Sequence, residues 1–431
     1  MSYIIKQEHL DALTPADKEV ITAIYHHRCL NEPLLYKHFY SKEKVKRSHA
    51  EERIKALTEA GYLSSVDYGQ EYPALFLTEA GVACANRLMI YPDPTMKSVG
   101  SFGLKMKEQI INHQLALNAV VLDFKEEAEK RKIPYRYYDG KFMEYNAEVM
   151  PDGLIQTNEY DIFLEMDMNS ERQAELLYKW NNYRSYLNTT GFFCKEKKTI
   201  VFFLLGNVTD PGVRRYYVLS SIGKGLLDKI ASKFDIYVDT PDQLLDLLFN
   251  ELLKPSDDIE QIQSALRLHG FSMTPAAPLN KFVSGPDYGF YARMLSDKTK
   301  QVMVKDGKAQ EFLLDNAVRC LPASCLTKVV GHNSTTLGLT SKAGRPIPYL
   351  VVVEGERLVS ADLSAVNARG TQNVYFTTIQ RLRDSVTFPE ALFQVDQMGR
   401  VSHFSDFSLS ELIYERTIQT QKNKLIHERK D

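Results

Sequence analysis

The sequence predicts a mixed α/β protein, on three observations. Near the N-terminus, three stretches with apolar residues at helical spacing lead into two short strand-like runs. Between residues 104 and 205 the periodicity switches between helix and strand in the order α-β-β-β-α-β. Beyond residue 255, runs such as Pro348-Tyr349-Leu350-Val351-Val352-Val353-Glu354 and Asn373-Val374-Tyr375-Phe376 read as buried strands among helical segments.

With 431 residues, 44% of them hydrophobic and 25% charged, the chain supports two to four cores at roughly 100–200 residues per domain. The expected division is 1–95, 103–254 and 255–431. A net charge of −2 excludes a globally basic polyanion binder, so any surface for nucleic acid has to be local. The five cysteines (Cys29, Cys84, Cys194, Cys320, Cys325) form no CxxC pair and have no His at metal spacing, so they read as reduced thiols. There is no basic start followed by an apolar run and no stretch of ~18 apolar residues, so the expected location is the cytoplasm. No glycine-rich phosphate loop occurs, which excludes an ATP-driven helicase or partition motor.

Thr14-Pro15-Ala16-Asp17 supplies a cap, a Pro at the first helical position and an acid three residues after the cap, and Val20, Ile21 and Ile24 follow at helical spacing. Asn31 is placed to cap a short second helix. Ser41 is expected to cap a third, with Val45, Ala50, Ile54 and Leu57 as its buried stripe and Gly61 as its stop. Residues 62–66 and 72–77 then flank a polar stretch, as in a β-hairpin, and Thr78 opens a closing helix. Three helices, a hairpin and a closing helix resemble a winged helix-turn-helix. The resemblance implies double-stranded DNA as partner, met by the third helix, where Lys42, Lys44, Lys46, Arg47, His49 and Arg53 gather. The same bases also interleave with Glu43, Glu51 and Glu52, the pattern of a solvated face paired at i,i+4. A fragment ending near Tyr91 is expected to fold by itself.

In the middle of the chain a long amphipathic helix from Leu104 to Arg131 precedes strands at 133–138, 147–155 and 160–167. A helix follows, with Ser170 and Gln173 as a candidate capping box, and then a strand at 198–205. Residues 226–234 read as helical, and 241–253 as a further helix. On the third strand Glu165 and Asp167 are two apart and share a face, and Asp152 of the Pro-Asp dipeptide stands where a neighbouring strand brings it to Glu165.

That order of elements, with Pro-Asp and then Glu-x-Asp, resembles the PD-(D/E)xK restriction-endonuclease-like nucleases. The run PDG, FLEMD, SE, YK, Y is similar to the plasmid replication-relaxation family, over about Leu13 to Gly206. The resemblance implies a catalytic set of Asp152, Glu165, Asp167 and Lys179, with Asp152 and Glu165 holding Mg²⁺, which polarises a phosphate and lowers the pKa of an attacking water. The usual Lys two residues after the second acid is Asp167 here, so Lys179 is expected to replace it from the following helix. Tyr183 and Tyr186 share a helical face with Lys179 and offer a covalent alternative.

In the last third, Pro286-Asp287 has no recognisable downstream acid on a matching strand and reads as a turn, leaving a diverged second copy of the middle fold open. A final helix, 408–429, has a partly apolar face suited to a homodimer. The resulting expectation is a sequence-specific DNA-binding protein of a plasmid or mobile element that nicks, relaxes or opens DNA. The alternative is a non-catalytic replication initiator or transcription regulator that only grips it.

Overall fold

The computed structural model describes residues 7–43, 46–89, 108–140, 149–206, 208–254, 257–281, 285–305, 308–332, 347–368, 373–396 and 399–404. It is a mixed α/β protein in two compact units, 1–135 and 136–431.

The first unit begins with α1 (Gln7–Asp11) and α2 (Pro15–His27). The expected cap of α2 is present: Asp17 N–H donates to the Thr14 hydroxyl at 3.1 Å, and Thr14 N–H donates to the Asp17 carboxylate at 2.9 Å. A short β1 (Cys29–Asn31) leads into α3 (Glu32–Leu35), whose Leu34 N–H donates to Asn31 Oδ1 at 3.2 Å. The helix expected from Ser41 does not start there. Residues Tyr36–Tyr40 form a π-helical turn, and the Ser41 hydroxyl donates back to the Lys37 carbonyl at 2.7 Å instead of capping a new helix. The true helix is α4 (Arg47–Glu59), with Ala50, Ile54 and Leu57 buried as expected. Gly61, at φ 78°, turns the chain out of it.

Strands β2 (Leu63–Val66) and β3 (Ala74–Leu77) pair antiparallel, and β1 adds to β3, giving the order β1-β3-β2. The Thr78 hydroxyl accepts from Gly81 N–H at 3.1 Å and caps α5 (Glu79–Leu88). The long helix α6 (Glu108–Arg131), which the sequence groups with the strands after it, packs within this first unit. Asn118 donates to the carbonyls of His27 at 2.9 Å and Cys29 at 2.7 Å, while Ile111 and Leu115 join Cys29, Tyr68 and Phe76 in one apolar cluster.

The second unit holds two larger sheets. The first runs β4 (Arg136–Asp139), β5 (Gly153–Gln156), β6 (Tyr160–Asp167), β7 (Lys198–Leu205), β8 (Phe234–Asp239), in that spatial order. Pairing is antiparallel across β4, β5 and β6 and parallel across β6, β7 and β8. Strands β6 and β7 lie where the sequence places them. The helix expected at 226–234 is cut to the single turn Leu227–Lys229, and strand β8, which begins at the expected end of that helix and is not foreseen in the sequence, buries Phe234, Ile236 and Val238 on the parallel side of the sheet. The parallel crossovers are the helices Gln173–Leu187 and Pro211–Gly225. The former starts after Arg172, whose N–H donates to Glu175 at 2.6 Å, rather than from a Ser170 cap.

The other sheet contains β9 (Phe271–Pro275), β10 (Phe290–Met294), β13 (Glu311–Ala317), β14 (Tyr349–Val353), β15 (Val374–Thr377), β16 (Phe393–Val395) and β17 (Val401–His403), in the order β17-β16-β15-β14-β13-β10-β9. A small hairpin, β11 (Val304–Lys305) and β12 (Lys308–Ala309), interrupts it. Here the parallel crossovers are Ala323–His332 and Glu356–Ala365. Phe163, Val201, Phe203 and Ile236 from the first sheet share one core with Leu313, Val351, Phe376 and Phe393 from the second. The expected helix at 408–429 lies outside the described residues. Among those residues, no helix is long and apolar enough to cross a membrane.

Candidate acid–lysine centre and basic helix face

In the second unit the pleat of β6 settles which side chains meet. Phe163 and Glu165 alternate with Ile162, Leu164 and Met166, and the Phe163 ring lies 6.3 Å from that of Tyr183 on the helix Gln173–Leu187. Glu165 therefore faces this helix. Its Oε2 is 2.8 Å from Lys179 Nζ, and its Oε1 accepts the Tyr183 hydroxyl at 2.6 Å. Lys179 also lies 2.8 Å from Glu171, and its side chain keeps 19% exposure while that of Glu165 keeps 4%. Asp152, just before β5, accepts Met166 N–H at 2.7 Å, which ties the Pro-Asp segment to β6.

Electrostatics couples these groups. Burial pushes the Glu165 carboxyl above the usual carboxylate range; the Lys179 ammonium opposes that, and the nearby Asp152 charge adds to it. Burial works against the Lys179 charge, but the carboxylates of Glu165, Glu171 and Asp152 outweigh it and hold the ammonium protonated. Three carboxylates thus surround one ammonium, an excess of negative charge in a largely dehydrated place. Tyr183 is fully buried, and burial and the Glu165 charge push its hydroxyl well above the normal phenol range. A buried phenol that donates to a carboxylate is a poor nucleophile, which argues against the covalent alternative.

Of the sequence-expected set, Asp152, Glu165 and Lys179 come together. Asp167 does not join them, because Arg214 takes its carboxylate in a buried pair at 2.5 and 2.9 Å. Glu171 belongs to the SE of the quoted run without being assigned a role there, and nothing in the sequence pattern singles out Arg214. Arg214 lies 47 residues from its partner, and no local signal marks such a pair.

In the first unit, Lys42, Lys46, Arg47 and His49 are exposed at and before the start of α4; Lys44 lies outside the described residues. Arg47 Nε is 2.8 Å from Glu32, and its guanidinium stands 5.3 Å from the centre of the Tyr72 ring. His49 is 3.5 Å from Glu52. Arg53 is turned inward onto the buried carboxylate of Asp17.

Among the described residues no group of three or more His, Cys, Asp or Glu is arranged to hold a metal ion. Residues 21–202 match the model of a family described as replication-relaxation. No protein of curated function matches the chain, and no solved structure does.

Proposed function

Because residues 21–202 match the replication-relaxation family model, we propose that the chain binds double-stranded DNA of a plasmid or mobile element through its first unit. The acid–lysine centre of its second unit then hydrolyses a backbone phosphodiester. The observation that carries this reading is the 2.8 Å approach of Lys179 to Glu165. A basic residue displaced onto the neighbouring helix reaches the very acid beside which the nuclease pattern needs it.

The first unit supports a winged-helix reading by its order of elements, with Lys46 and Arg47 at the N-terminal end of the candidate recognition helix and Tyr72 in the segment between β2 and β3. The sheet order β4 to β8, with helices at its parallel crossovers, supports a restriction-endonuclease-like second unit.

The donor chemistry suits Mg²⁺, which takes oxygen ligands and commonly uses one or two carboxylates while keeping waters. Asp152 and Glu165 are the residues that would hold it, and the excess negative charge around Lys179 favours a cation there. When bound, the ion supplies Lewis acidity and a more acidic water. The chain's own part is positional and electrostatic. Lys179, kept protonated, offsets the charge that develops on the phosphate oxygens. Tyr183 orients the Glu165 carboxylate through its hydrogen bond. In the hydrolysis, a water oxygen bonds to phosphorus, one ester P–O bond breaks, and the departing sugar oxygen takes up a proton.

A second reading, a regulator or initiator that grips DNA without cutting it, is favoured by one fact: both Glu165 oxygens already accept from Lys179 and Tyr183. Nicking of supercoiled plasmid by the full chain, with Mg²⁺ or Mn²⁺, separates the two. Glu165→Gln and Asp152→Asn are expected to remove at least 100-fold of the rate and to leave DNA affinity within two-fold. Wild-type protein that binds the plasmid and leaves it supercoiled refutes the hydrolytic reading.

A further inference from the structure

The two sheets of the second unit repeat one another. In the first, two antiparallel pairings (β4 with β5, β5 with β6) are followed by two parallel ones (β6 with β7, β7 with β8). In the second, β9 with β10 and β10 with β13 are antiparallel, and β13 with β14 and β14 with β15 are parallel. Helices occupy the same crossovers: Gln173–Leu187 corresponds to Ala323–His332, and Pro211–Gly225 to Glu356–Ala365. Short helices, Pro241–Leu247 and Ile379–Asp384, follow the fifth strand in each. Strands β16 and β17 are additions at the far edge of the second.

The correspondence extends to register and to chemistry. Glu165 follows Leu164, the last β6 residue paired to β5; Asp315 follows Leu314, the last β13 residue paired to β10. Each acid stands on the sheet face that enters the shared core, next to Phe163 and Leu313 respectively. Each receives a Lys from its first crossover helix, Lys179 or Lys328, and a Tyr hydroxyl, from Tyr183 or from Tyr349 at 2.5 Å. Each is preceded by a Pro-Asp dipeptide at the head of the neighbouring strand, Pro151-Asp152 or Pro286-Asp287. The dipeptide that reads as a turn in the sequence thus has its downstream acid, Asp315.

The two copies also touch through corresponding helices. Arg215 of Pro211–Gly225 holds Asp362 of Glu356–Ala365 at 2.8 Å, both fully buried, and a Cβ at Gly223 would meet the Val366 Cα at 3.2 Å. Equivalent elements meeting face to face is the arrangement of an isologous dimer, here within one chain.

The centres differ in access. Lys179 is 19% exposed, whereas Lys328 is 4% exposed. Lys328 donates to the Asp287 carbonyl at 2.7 Å and lies 5.2 and 5.9 Å from the Tyr288 and Tyr349 ring centres. Asp315 accepts, besides Lys328 and Tyr349, Gly289 N–H at 2.7 Å. The Asp315 side chain keeps 9% exposure, so it is on the lysine side that this second pair is closed.

We infer that residues 271–384 are a second copy of the fold of residues 136–247, joined to it as an intrachain pseudo-dimer, and that its Asp315–Lys328 pair is a sealed centre. One chain therefore offers DNA a single phosphodiester-engaging centre and acts on one strand. The strand count rests on the hydrolytic reading of the first centre; the sealing of the second does not.

The test uses the full chain and the paired variant Asp315→Asn/Lys328→Met, which removes both charges and strands neither. Open circles are expected as the first product from supercoiled plasmid, at a rate the paired variant keeps within two-fold. Its DNA affinity and salt dependence are expected to match wild type. Linear plasmid formed by wild type in step with open circles overturns the inference, and that readout needs no variant. So does a folded paired variant with affinity lowered five-fold or more and a log–log salt slope reduced by about one, the mark of a lost phosphate contact. If wild type cuts nothing, the hydrolytic reading of the first centre and the strand count fail together, while sealing of the second is still decided by affinity and salt slope.

Discussion

Arg53 lies on the helix whose basic face the sequence assigns to DNA, yet its guanidinium serves the interior, on a carboxylate that also completes the cap of α2. Asp17 is held below its ordinary pKa even though burial raises it, because Arg53 and the Thr14 hydrogen bonds outweigh the burial. Arg53→Met should therefore destabilise the first unit, by about 3 kcal/mol in thermal or urea unfolding, since it leaves a buried carboxylate without its cation. The triple replacement of Lys42, Lys46 and Arg47 by Ala should leave stability within about 0.5 kcal/mol and lower DNA affinity, with a shallower salt slope. A variant pattern the other way round would move the contact surface off this helix. At this scale the sequence is informative wherever partners are near in the chain or fixed by a known pattern. Lys179 and Tyr183 follow from helical spacing, and Asp152 with Glu165 from strand neighbours. The Arg214–Asp167 and Arg53–Asp17 pairs depend on tertiary folding alone.

Elements are legible in proportion to the strength of their local signals. Strands β6 and β7 and the capped helices α2, α3 and α5 match the sequence reading because apolar runs and cap chemistry coincide there. Strand β1 is only three residues long and leaves no periodic signal, and the six-residue β8 goes unread beside the helix expected at 226–234, because a buried strand and a short buried helix share one apolar pattern. Helix α6 has the largest practical consequence. Its Asn118 answers two carbonyls at the end of α2 and in β1, and Leu122 enters the main core of the first unit. A fragment of residues 1–135 should be soluble and unfold in one cooperative transition. A fragment ending at Tyr91 should be markedly less stable, because it uncovers Cys29, Tyr68 and Phe76 and leaves the His27 and Cys29 carbonyls without Asn118. Equal melting temperatures for the two fragments would show that α6 is dispensable to that core.

Across the whole molecule, residues 136–431 form one compact unit in which two sheets share a core, although the sequence pattern changes near residue 255. The repetition is hidden in the sequence because the copies agree in pairing, register and a few scattered polar residues, and topology leaves little trace in a single sequence. Arg215 is where that unity can be measured: it bonds Asp362, the Val238 carbonyl and Asp239. Arg215→Met should cost about 3–5 kcal/mol, the range for breaking a buried pair. Calorimetry should show the second unit losing its single transition or melting many degrees earlier. A change of under about 1 kcal/mol would mean that the two copies hold together without it.

The contact between Pro211–Gly225 and Glu356–Ala365 also bears on mass action. Two halves on separate chains part when diluted below their dissociation constant, and their joint activity then falls with the square of concentration. Halves tethered in one polypeptide face each other at an effective concentration in the millimolar range whatever the volume around them. The two sheets of the second unit therefore stay paired at any dilution, without having to find a partner first.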